Sequence, residues 1–275
     1  YHLLKEFSKY DDLEIDLITA SSGKYKKEKF SKNITLYKID IDKKHIHYQT
    51  NKEIFLWSTK ALFFMSKHLK KNKYDLCHCW GGWPSGFFGY FFEKDQKFTI
   101  GLRGTDVPGF SSRMGILDNV VFNPYSKIVW SRATKIIANS SGLKKLAHKT
   151  WKGDIDIIYN GIDTKKFKPG KMSFKTKIIT VCRLIKRKGL DYLIEALKDL
   201  DVELDIIGEG PELKSLKLLA KELHVKVNFI GYVKHENLPS YYQKASIFVL
   251  PSLYEGMSNS ILEAMACGLP IITTN

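Results

Sequence analysis

The sequence has little cysteine and no long apolar run. Its 275 residues include four cysteines, Cys77, Cys79, Cys182 and Cys267. This is too few for a disulfide scaffold and favours a reducing cytoplasm. No apolar run approaches the roughly 20 residues that a membrane-spanning helix needs, and no signal peptide is recognisable at the start. Hydrophobic residues make up 44% and charged residues 27% of the chain, which is typical of a folded protein and not of a disordered one.

Acidic residues are fewer than basic residues. The chain has 44 Lys and Arg against 29 Asp and Glu, a formal net charge of +15. Residues 1–170 carry +13 of this excess. The positive electrostatic field that this excess produces favours anionic partners, namely nucleic acid, anionic lipid or phosphorylated substrates. The alternative is a solvated, lysine-rich surface that mainly sets solubility.

Strand-like and helix-like runs alternate along the chain, which predicts parallel sheets covered by helices on both faces. The length suits two domains, and the alternation restarts after a Lys/Pro/Gly segment at residues 164–175. We therefore expect an α/β protein with two doubly wound domains, at 1–170 and 171–275. The predicted strands are 13–20, 34–41, 74–80, 98–103, 135–139, 155–159, 177–183, 202–207, 225–230, 246–250 and 270–273. The predicted helices are 51–71, 142–149, 190–200, 211–223, 236–244 and 259–266.

Both ends of the chain interrupt this pattern. A doubly wound domain usually begins with a strand and a glycine-rich turn, but this chain opens in a helix-like stretch, Tyr1–Tyr10. It stops directly after the strand-like run Ile271–Thr274. We expect the first strand and the C-terminal helices to be missing.

A candidate anion site follows the first strand of the second half. The run Ile178–Val181 leads into Cys182-Arg183, and Lys188-Gly189 opens the next predicted helix. Ligands of such sheets bind at the carboxyl ends of strands, where two cations and the positive end of a helix suit a diphosphate. The alternative is that Lys186-Arg187-Lys188 forms a solvated, inert surface cluster.

Two glycines follow the next strand. Gly208-Glu209-Gly210-Pro211 comes directly after the run Leu204–Ile207. The glycines permit a tight turn, and Pro211 fits the first position of a helix. Alone, this segment predicts a turn and only weakly a ligand site.

The strongest signal lies between Pro251 and Pro270. A loop containing Glu255 follows a strand, and a helix begins near Ser258 or Asn259. The amides of its first turn have no partner within the helix and form an anion site. Glu263 lies within this helix and is expected to face the same crevice, so that both carboxylates accept hydrogen bonds from sugar hydroxyls. The alternatives are a helix-start acid at Glu255 and an exposed helix residue at Glu263.

From Glu255 the chain reads Glu-Gly-Met-Ser-Asn-Ser-Ile-Leu-Glu-Ala-Met-Ala-Cys-Gly-Leu-Pro. This segment resembles the paired-glutamate signature of the family-four retaining glycosyltransferases of GT-B fold, the glycosyl transferases group 1. The resemblance covers essentially the whole chain in the family's order. Further segments that agree begin at Arg103, Asn139, Tyr159, Arg183, Gly208 and Phe229.

The resemblance implies roles for individual residues. Arg183 and Lys188 would hold the donor diphosphate. Glu263 would bind the ribose hydroxyls, Glu255 the transferred sugar, and the loop at Tyr232 would lie against the base. Backbone groups of Gly208, Gly210, Gly256, Met257, Ser258, Asn259 and Ser260 would complete the donor site.

The resemblance also implies retention of the anomeric configuration, by attack on the face from which the phosphate departs. Two cations already serve the diphosphate, so neither a metal nor another cofactor is expected. Asp40-Ile41-Asp42 and Asp154-Ile155-Asp156 match the metal-binding tripeptide of the other major glycosyltransferase fold. Neither falls in the donor site, and both are predicted to be strand-edge residues.

Arg103 departs from the pattern of many relatives, which have a His-Gly pair near the reacting sugar. An Arg cannot act as a base, but it binds phosphate through two hydrogen bonds. We count Arg103 with Glu255 and Asp106 as catalytic candidates, with Asp106 orienting Arg103. The alternative is a loop pair that supports the turn.

The family architecture places the acceptor on the first domain. Trp80, Gly82 and Trp83 follow a predicted strand and are candidates for stacking on a sugar ring. Residues 57–73 form a basic helix with aromatic residues, which fits either an anionic membrane surface or ordinary packing with lysines in water. Cys77-His78-Cys79 alternates like a core strand and is not interpreted as a metal site.

The predicted function is transfer of a sugar from a UDP- or GDP-sugar to a glycan, lipopolysaccharide-type or lipid-linked acceptor. We expect a cytoplasmic protein with peripheral contact to the inner face of the cell membrane. An epimerase of the same fold is the alternative, because fold alone does not decide function. A basic nucleic-acid-binding module is a third reading. No nucleic-acid motif is recognised, so no such partner is expected.

Overall fold

The structure, a computed structural model, describes residues 2–42, 50–110, 115, 118–170 and 176–274. It divides into two compact units. The first comprises residues 1–99 and 132–134, and the second residues 100–131 and 135–275. The predicted division at 170/171 stays a prediction, and residues 171–175 of the predicted linker lie outside the described ranges.

The first unit begins with a short helix and a three-stranded sheet. Its elements are α1 (His2–Phe7), β1 (Ile15–Ser21), β2 (Lys26–Ser31), β3 (Ile34–Asp40), α2 (Asn51–Lys71), β4 (Cys77–Trp80) and α3 (Ser85–Phe91). The sheet order is β1-β3-β2, with β1 parallel and β2 antiparallel to β3. The sequence predicted neither β2 nor α3, and the antiparallel edge strand β2 is an addition to the expected parallel pairing.

Helix α2 is fixed at its start by a reciprocal cap. Thr50 Oγ1 accepts the Glu53 backbone N–H at 3.2 Å, and Glu53 Oε2 accepts the Thr50 N–H at 2.6 Å. This pairing satisfies donors that the first turn leaves without partners. Ala61 and Met65 of α2 pack in a core cluster with Ile39 and Phe88. The helix therefore buries one side and leaves the opposite side to solvent.

The second unit contains the remaining elements. They are β5 (Phe98–Leu102), which crosses the boundary between the units, α4 (Asn123–Arg132), β6 (Lys135–Ala138), α5 (Ser141–Thr150), β7 (Asp156–Ile157), β8 (Lys177–Val181), α6 (Leu190–Ala196), β9 (Glu203–Ile207), α7 (Leu213–Glu222), β10 (Val227–Gly231), α8 (Leu238–Tyr242), β11 (Ile247–Leu250), α9 (Asn259–Ala266) and β12 (Ile271–Thr273). A π-helical turn, Asp118–Phe122, precedes α4. Neither this turn nor α4 was predicted.

A five-stranded parallel sheet organises the second unit. Its order is β10-β9-β8-β11-β12, so the chain moves outward from β8 and then returns to the other side of it. One core cluster joins the sheet to α6 and α7, and another joins it to α8 and α9. The helices therefore cover both faces, as expected of a doubly wound sheet. The strand order reverses between β8 and β11, where such sheets bind their ligands.

The segment before β8 also belongs to this core. Phe167 is fully buried and packs with Tyr242 and Phe248 in the cluster beside α8 and α9. The first residues of the predicted linker are thus anchored to the second sheet. None of the helices in the described part of the chain combines the length and apolar character that spanning a bilayer requires.

Candidate active site

A polar pocket opens at the carboxyl ends of β8 and β11, where the strand order reverses. Its volume is about 260 Å³. The residues that line it are Arg103, Asn139, Asn160, Val181, Cys182, Arg183, Arg187, Lys188, Glu255, Met257, Ser258, Asn259 and Ser260. All of them belong to the second unit. The structure thus brings together eight of the predicted site residues.

A short turn after β8 sets the position of the cations. Residues Lys186–Lys188 form one turn of 3₁₀ helix, and Gly189 follows with a φ of +61°. A Cβ at Gly189 would lie 2.3 Å from the Pro251 carbonyl oxygen, so only glycine fits there. The Leu253 N–H donates to the Arg187 carbonyl oxygen at 2.8 Å. The turn after β8 is therefore held against the loop after β11.

Lys188 and Glu255 form an ion pair across these two segments. Lys188 Nζ lies 2.7 Å from Glu255 Oε2, and Arg187 Nη1 lies 3.4 Å from the same oxygen. The Lys188 side chain is only 7% exposed, against 21% for Arg187. Lys188 is therefore not solvated as the alternative of a surface cluster expected, because a buried ammonium needs a charged partner.

Positive charge dominates the pocket. Four cations line it, Arg103, Arg183, Arg187 and Lys188, against the single carboxylate of Glu255. Burial lowers the pKa of Arg183 below its ordinary value, and repulsion by Arg187 lowers it further. Burial also lowers the pKa of Arg103, while the charge of Asp106 opposes that shift. The opposite charge of an anionic ligand would offset both the cost of desolvation and the repulsion.

The amino end of α9 completes the pocket. Its N-cap, Ser258, makes no capping bond to the helix within the described part of the chain, and the Ser258 Oγ lies 3.0 Å from Ser260 Oγ. The Ser258 side chain therefore does not satisfy the first-turn amides, which have no partner within the helix itself. Asn160 holds this end in place. Its Nδ2 donates to Asn259 Oδ1 at 2.9 Å and to the Met257 carbonyl oxygen at 3.3 Å.

Arg103 follows β5 and reaches the pocket from a tight turn. Asp106 Oδ1 accepts the backbone N–H groups of Arg103 at 3.0 Å and Gly104 at 2.7 Å. Asp106 therefore shapes the turn, as the alternative reading of this pair expected, and it also contributes charge beside Arg103. A Cβ at Gly256 would lie 3.2 Å from the Arg103 carbonyl oxygen and 3.2 Å from Asn139 Oδ1. Gly256 thus lets the glutamate loop pack close to both residues.

Glu263 lies deeper than the pocket wall. It is only 4% exposed, so the alternative of an exposed helix residue is wrong. Its Oε1 lies 2.9 Å from His235 Nε2, and its Oε2 accepts the Tyr242 hydroxyl at 2.8 Å. The carboxylate is buried with a partner for each oxygen, as a buried charge requires.

Besides Gly256 and Glu263, three predicted donor residues do not line the pocket. A Cβ at Gly208 would lie 1.9 Å from the Cys182 carbonyl oxygen, and one at Gly210 would lie 2.2 Å from the Leu184 carbonyl oxygen. These two glycines let the loop after β9 pack against the end of β8. Tyr232 follows β10 and is 60% exposed. The predicted roles of the three in donor binding stay predictions.

The predicted acceptor residues belong to the first unit. Trp80 and Trp83 are 52% and 38% exposed, and Gly82 is buried. The neighbouring Cys79 is buried, while His78 Nδ1 lies 2.8 Å from Thr99 Oγ1. This alternation agrees with the expected core strand. The part played by the two tryptophans in acceptor binding stays a prediction.

Sequence reasoning missed several residues around the pocket. Arg187 was seen only as part of a charged cluster, and Asn160 only as part of a motif. Asn139 is 4% exposed, and its Oδ1 finds no hydrogen-bond partner among the described residues. No pattern in the sequence indicated a role for His235. The position of Asn139 directly after a strand could have identified it, because ligands bind at strand ends.

Neither Asp-x-Asp tripeptide contributes a residue to the pocket lining. Asp40 Oδ1 accepts the backbone N–H groups of Gly23 and Asp42, and Asp154 and Asp156 pair with Lys135. In the ranges that the structure covers, no group of three or more His, Cys, Asp or Glu side chains is arranged to hold a metal ion.

Two family models match the chain. Glycosyltransferase Family 4 matches residues 1–166, and Glycosyl transferases group 1 matches residues 161–275. An uncharacterized glycosyltransferase of Methanocaldococcus jannaschii is 25% identical over 99% of this chain and 74% of its own length. A UDP-Gal:alpha-D-GlcNAc-diphosphoundecaprenol alpha-1,3-galactosyltransferase of Escherichia coli is 28% identical over 78% of this chain and 62% of its own length. This chain therefore spans less than two thirds of some of its relatives.

Solved structures with the same fold are also similar. The sucrose-phosphate synthase of Thermosynechococcus elongatus matches with a TM-score of 0.81 and 21% identity, over 94% of this chain and 71% of its own. Anabaena HepE in complex with UDP matches with a TM-score of 0.68 and 16% identity, over 95% of this chain and 80% of its own. At these identities the likeness shows the fold alone, and it confirms the predicted α/β fold of GT-B type. Since one family model covers more than half of the chain, this protein is an enzyme of the family 4 glycosyltransferases.

Proposed function

We propose that this enzyme transfers a sugar from a UDP- or GDP-sugar to a glycan, lipopolysaccharide-type or lipid-linked acceptor. In this proposal the sugar keeps its anomeric configuration and the reaction needs no metal ion. The observation that carries the proposal is the cationic pocket where the strand order reverses, with Arg183 and Lys188 beside the amino end of α9. The family match does not favour the alternative of an epimerase.

The diphosphate of the donor would lie against Arg183, Lys188 and the first-turn amides of α9. These groups stabilise the negative charge that grows on the leaving phosphate as the bond from the sugar C1 to its oxygen breaks. The acceptor oxygen forms its new bond to C1 on the same face. The proton of the acceptor hydroxyl passes to a donor phosphate oxygen, so a nucleoside diphosphate and the glycosylated acceptor are the products.

The ion pair of Lys188 and Glu255 also takes part in the proposed reaction. A diphosphate competes with Glu255 for Lys188, because both are anions and Lys188 Nζ already lies 2.7 Å from Glu255. Displacing Glu255 from Lys188 makes its carboxylate available to hydroxyls of the transferred sugar. Hydrogen bonds that strengthen in the transition state raise turnover more than ground-state affinity. Arg103, on the same pocket, would bind a further donor or acceptor oxygen.

Metal independence rests on the number of cations that the chain itself supplies. Arg183, Arg187 and Lys188 lie around one pocket with the amino end of a helix. Together they provide the charge that a divalent ion contributes at phosphates in other enzymes. Removing metal ions should therefore leave nucleotide binding unchanged.

The acceptor side of the proposal rests on the first unit. Trp80 and Trp83 present exposed rings there, and the Escherichia coli relative acts by name on a diphosphoundecaprenol-linked sugar. A lipid-linked acceptor would be met at a membrane surface. We propose that the lysine-rich outer face of α2 contacts the anionic inner face of the cell membrane while the protein stays cytoplasmic. No nucleic-acid partner is part of this proposal.

Calorimetry with UDP and GDP in excess chelator tests the donor site. We expect at least one nucleotide to bind, with unchanged affinity when Mg²⁺ or Mn²⁺ replaces the chelator. Binding that appears only with a divalent ion would contradict metal independence. No binding of either nucleotide under any condition would contradict the donor site itself. Product analysis with the nucleotide-sugar that binds best then tests retention.

A further inference from the structure

A chain of polar side chains connects Glu263 to three residues that do not line the pocket, Lys166, His235 and Tyr242. Lys166 Nζ lies 3.1 Å from His235 Nδ1, and His235 Nε2 lies 2.9 Å from Glu263 Oε1. The Tyr242 hydroxyl donates to the other carboxylate oxygen, Oε2, at 2.8 Å. The four residues come from the segment before β8, the loop after β10, α8 and α9.

The direction of each hydrogen bond follows from the first one. A lysine ammonium can only donate, so His235 Nδ1 must accept. The proton of the neutral imidazole then resides on Nε2, which donates to Glu263. An imidazolium would turn an N–H toward the ammonium of Lys166, so the contact favours this single tautomer. Lys166 therefore determines that His235 presents a donor to the carboxylate.

The surroundings hold His235 in this orientation. The fully buried ring of Phe167 lies edge-on to the imidazole, with 5.1 Å between ring centroids. Lys166 Nζ lies 5.6 Å from the centre of the same Phe167 ring. The Lys166 backbone N–H donates to Asp163 Oδ1 at 3.2 Å, which ties down the segment that carries the lysine. His235 remains 33% exposed, whereas the Glu263 side chain is 6% exposed.

Glu263 occupies the turn of α9 that follows the pocket-lining residues Ser258 and Ser260. Among the residues that the structure describes, one protein donor meets each oxygen, and each oxygen of a carboxylate accepts two hydrogen bonds. One acceptor position per oxygen is left, which suits two neighbouring hydroxyl groups. A ribose offers such a pair. The anchoring from His235 and Tyr242 fixes the direction in which the remaining acceptor positions point.

We propose that His235 is a positioning residue for nucleotide recognition: with Lys166 it orients Glu263 to accept the two ribose hydroxyls of the donor nucleotide. The inference rests on the proposed function, because it needs a nucleotide in the pocket. It predicts that His235 affects selectivity for ribose over deoxyribose without touching the ligand. A residue with only a packing role would change stability and leave this selectivity unaltered.

The experiment compares variants that keep or lose the Nε2 donor. His235→Gln places an amide N–H₂ near the position of Nε2, His235→Asn places it near Nδ1, and His235→Ala removes it. The probes are whichever of UDP or GDP binds the wild type more tightly, together with the analogues that lack the 2′- or 3′-hydroxyl. Thermal unfolding of each variant is recorded alongside calorimetry.

We expect His235→Ala and His235→Asn to bind the ribonucleotide roughly tenfold more weakly, on the scale of one hydrogen bond to a charged group. Their affinity for the deoxy analogues should stay near the wild-type value, so the selectivity for ribose collapses. His235→Gln should retain most of it. Tyr242→Phe, which removes the donor on the other oxygen and keeps the buried ring, should resemble His235→Ala.

Each outcome is decisive. If the wild type prefers the ribonucleotide and His235→Ala keeps that preference, the inference is overturned while the proposed function stands. Equal behaviour of the glutamine and asparagine variants overturns it too, and this comparison remains available if His235→Ala does not fold. If the wild type binds neither UDP nor GDP, the proposed function fails and this inference fails with it.

Discussion

Lys188 Nζ and Glu255 Oε2 lie 2.7 Å apart, although 67 residues separate them in the sequence. Lys188 is almost completely buried, and a buried charge that loses its partner destabilises a protein strongly. Glu255 thus compensates the charge of Lys188 before a ligand arrives. A diphosphate that binds Lys188 exchanges one anionic partner for another and avoids the full cost of desolvating a bare ammonium.

The two glutamates of the signature, Glu255 and Glu263, should have opposite effects. Glu255→Gln should lower the rate of sugar transfer and leave UDP or GDP affinity within a few fold, because it removes a carboxylate that acts on the sugar. Glu263→Gln should weaken the nucleotide, because the carboxylate belongs to the ribose side of the site. Calorimetry and single-turnover transfer on both variants check this. Equal loss of nucleotide binding in the two variants would show that the roles are assigned wrongly.

The cations should contribute to diphosphate binding together. Lys188→Ala and Arg183→Ala should each weaken nucleoside diphosphate binding by about 1.5–3 kcal/mol, the scale of a hydrogen bond between charged groups. The double variant should lose less than the sum, because both side chains act on one ligand. Lys186→Ala is the matched control, since Lys186 belongs to the same turn, is exposed and does not line the pocket. An equal loss in the control would indicate a general field effect.

Two glycine-to-alanine changes should shift stability in opposite directions. Gly208 has a φ of +134°, and its Cβ would lie 1.9 Å from a backbone oxygen of Cys182. Gly208→Ala should therefore cost at least about 2 kcal/mol of unfolding free energy. Gly142 lies within α5 and has no atom within 4 Å of its would-be Cβ. Gly142→Ala should gain about 0.5–1 kcal/mol. Urea denaturation measures both, and a stable Gly208→Ala variant would mean that this loop shifts easily.

Local signals in the sequence predicted the helices that begin at strong caps or turns. Helices α2 and α9 have the predicted bounds, 51–71 and 259–266. Strand β2 was missed because Lys26–Ser31 has hardly any apolar residues. It forms through antiparallel pairing with β3 at an edge of the sheet, and a single-strand pattern does not contain that information.

Only the part of the candidate site that depends on local signals could be predicted from the sequence. The rule that ligands bind at the carboxyl ends of strands identifies residues at strand ends, such as Arg183, and residues at the start of α9. The pairing of Lys188 with Glu255 depends on contacts across 67 residues, and the one between Lys166 and His235 across 69. No local periodicity contains such contacts. For the same reason, the sequence left the burial of Glu263 open.

Cys182 should make stability depend on pH in the alkaline range. Burial raises the pKa of its thiol from 9.0 to about 11. In the unfolded chain the thiol ionises first, so the stabilisation is fully present below pH 9 and is lost as pH rises toward 11. The unfolding free energy of the wild type relative to Cys182→Ala should fall by about 2 kcal/mol between pH 8 and 10.5. Because both proteins contain the same other titrating groups, subtracting the unfolding free energy of Cys182→Ala from that of the wild type cancels their contributions. A difference that stays constant with pH would contradict the burial effect.

The outer face of α2 should bind anionic membranes through two kinds of side chain. Phe55 and Phe63 are 71% and 65% exposed on the side away from the core. Lys67 and Lys70 are exposed on the same side, and Lys67 Nζ lies 4.2 Å from the centre of the Phe63 ring. Phenylalanine rings enter the boundary between headgroups and acyl chains, and each lysine near an anionic surface adds about 1 kcal/mol.

Sedimentation with phosphatidylcholine vesicles, with and without phosphatidylglycerol, separates the two contributions. The double variant Lys67→Gln/Lys70→Gln should lose the salt-dependent part of binding, since charges are screened over about 10 Å at 0.1 M salt. The double variant Phe55→Ser/Phe63→Ser should bind more weakly at every salt concentration, because the apolar contribution is not screened. Leu218→Ser, at an exposed apolar residue of α7, is the control and should bind like the wild type. Equal binding of the wild type to neutral and anionic vesicles would rule out the electrostatic part, and unchanged binding of the phenylalanine variant would rule out insertion by this face.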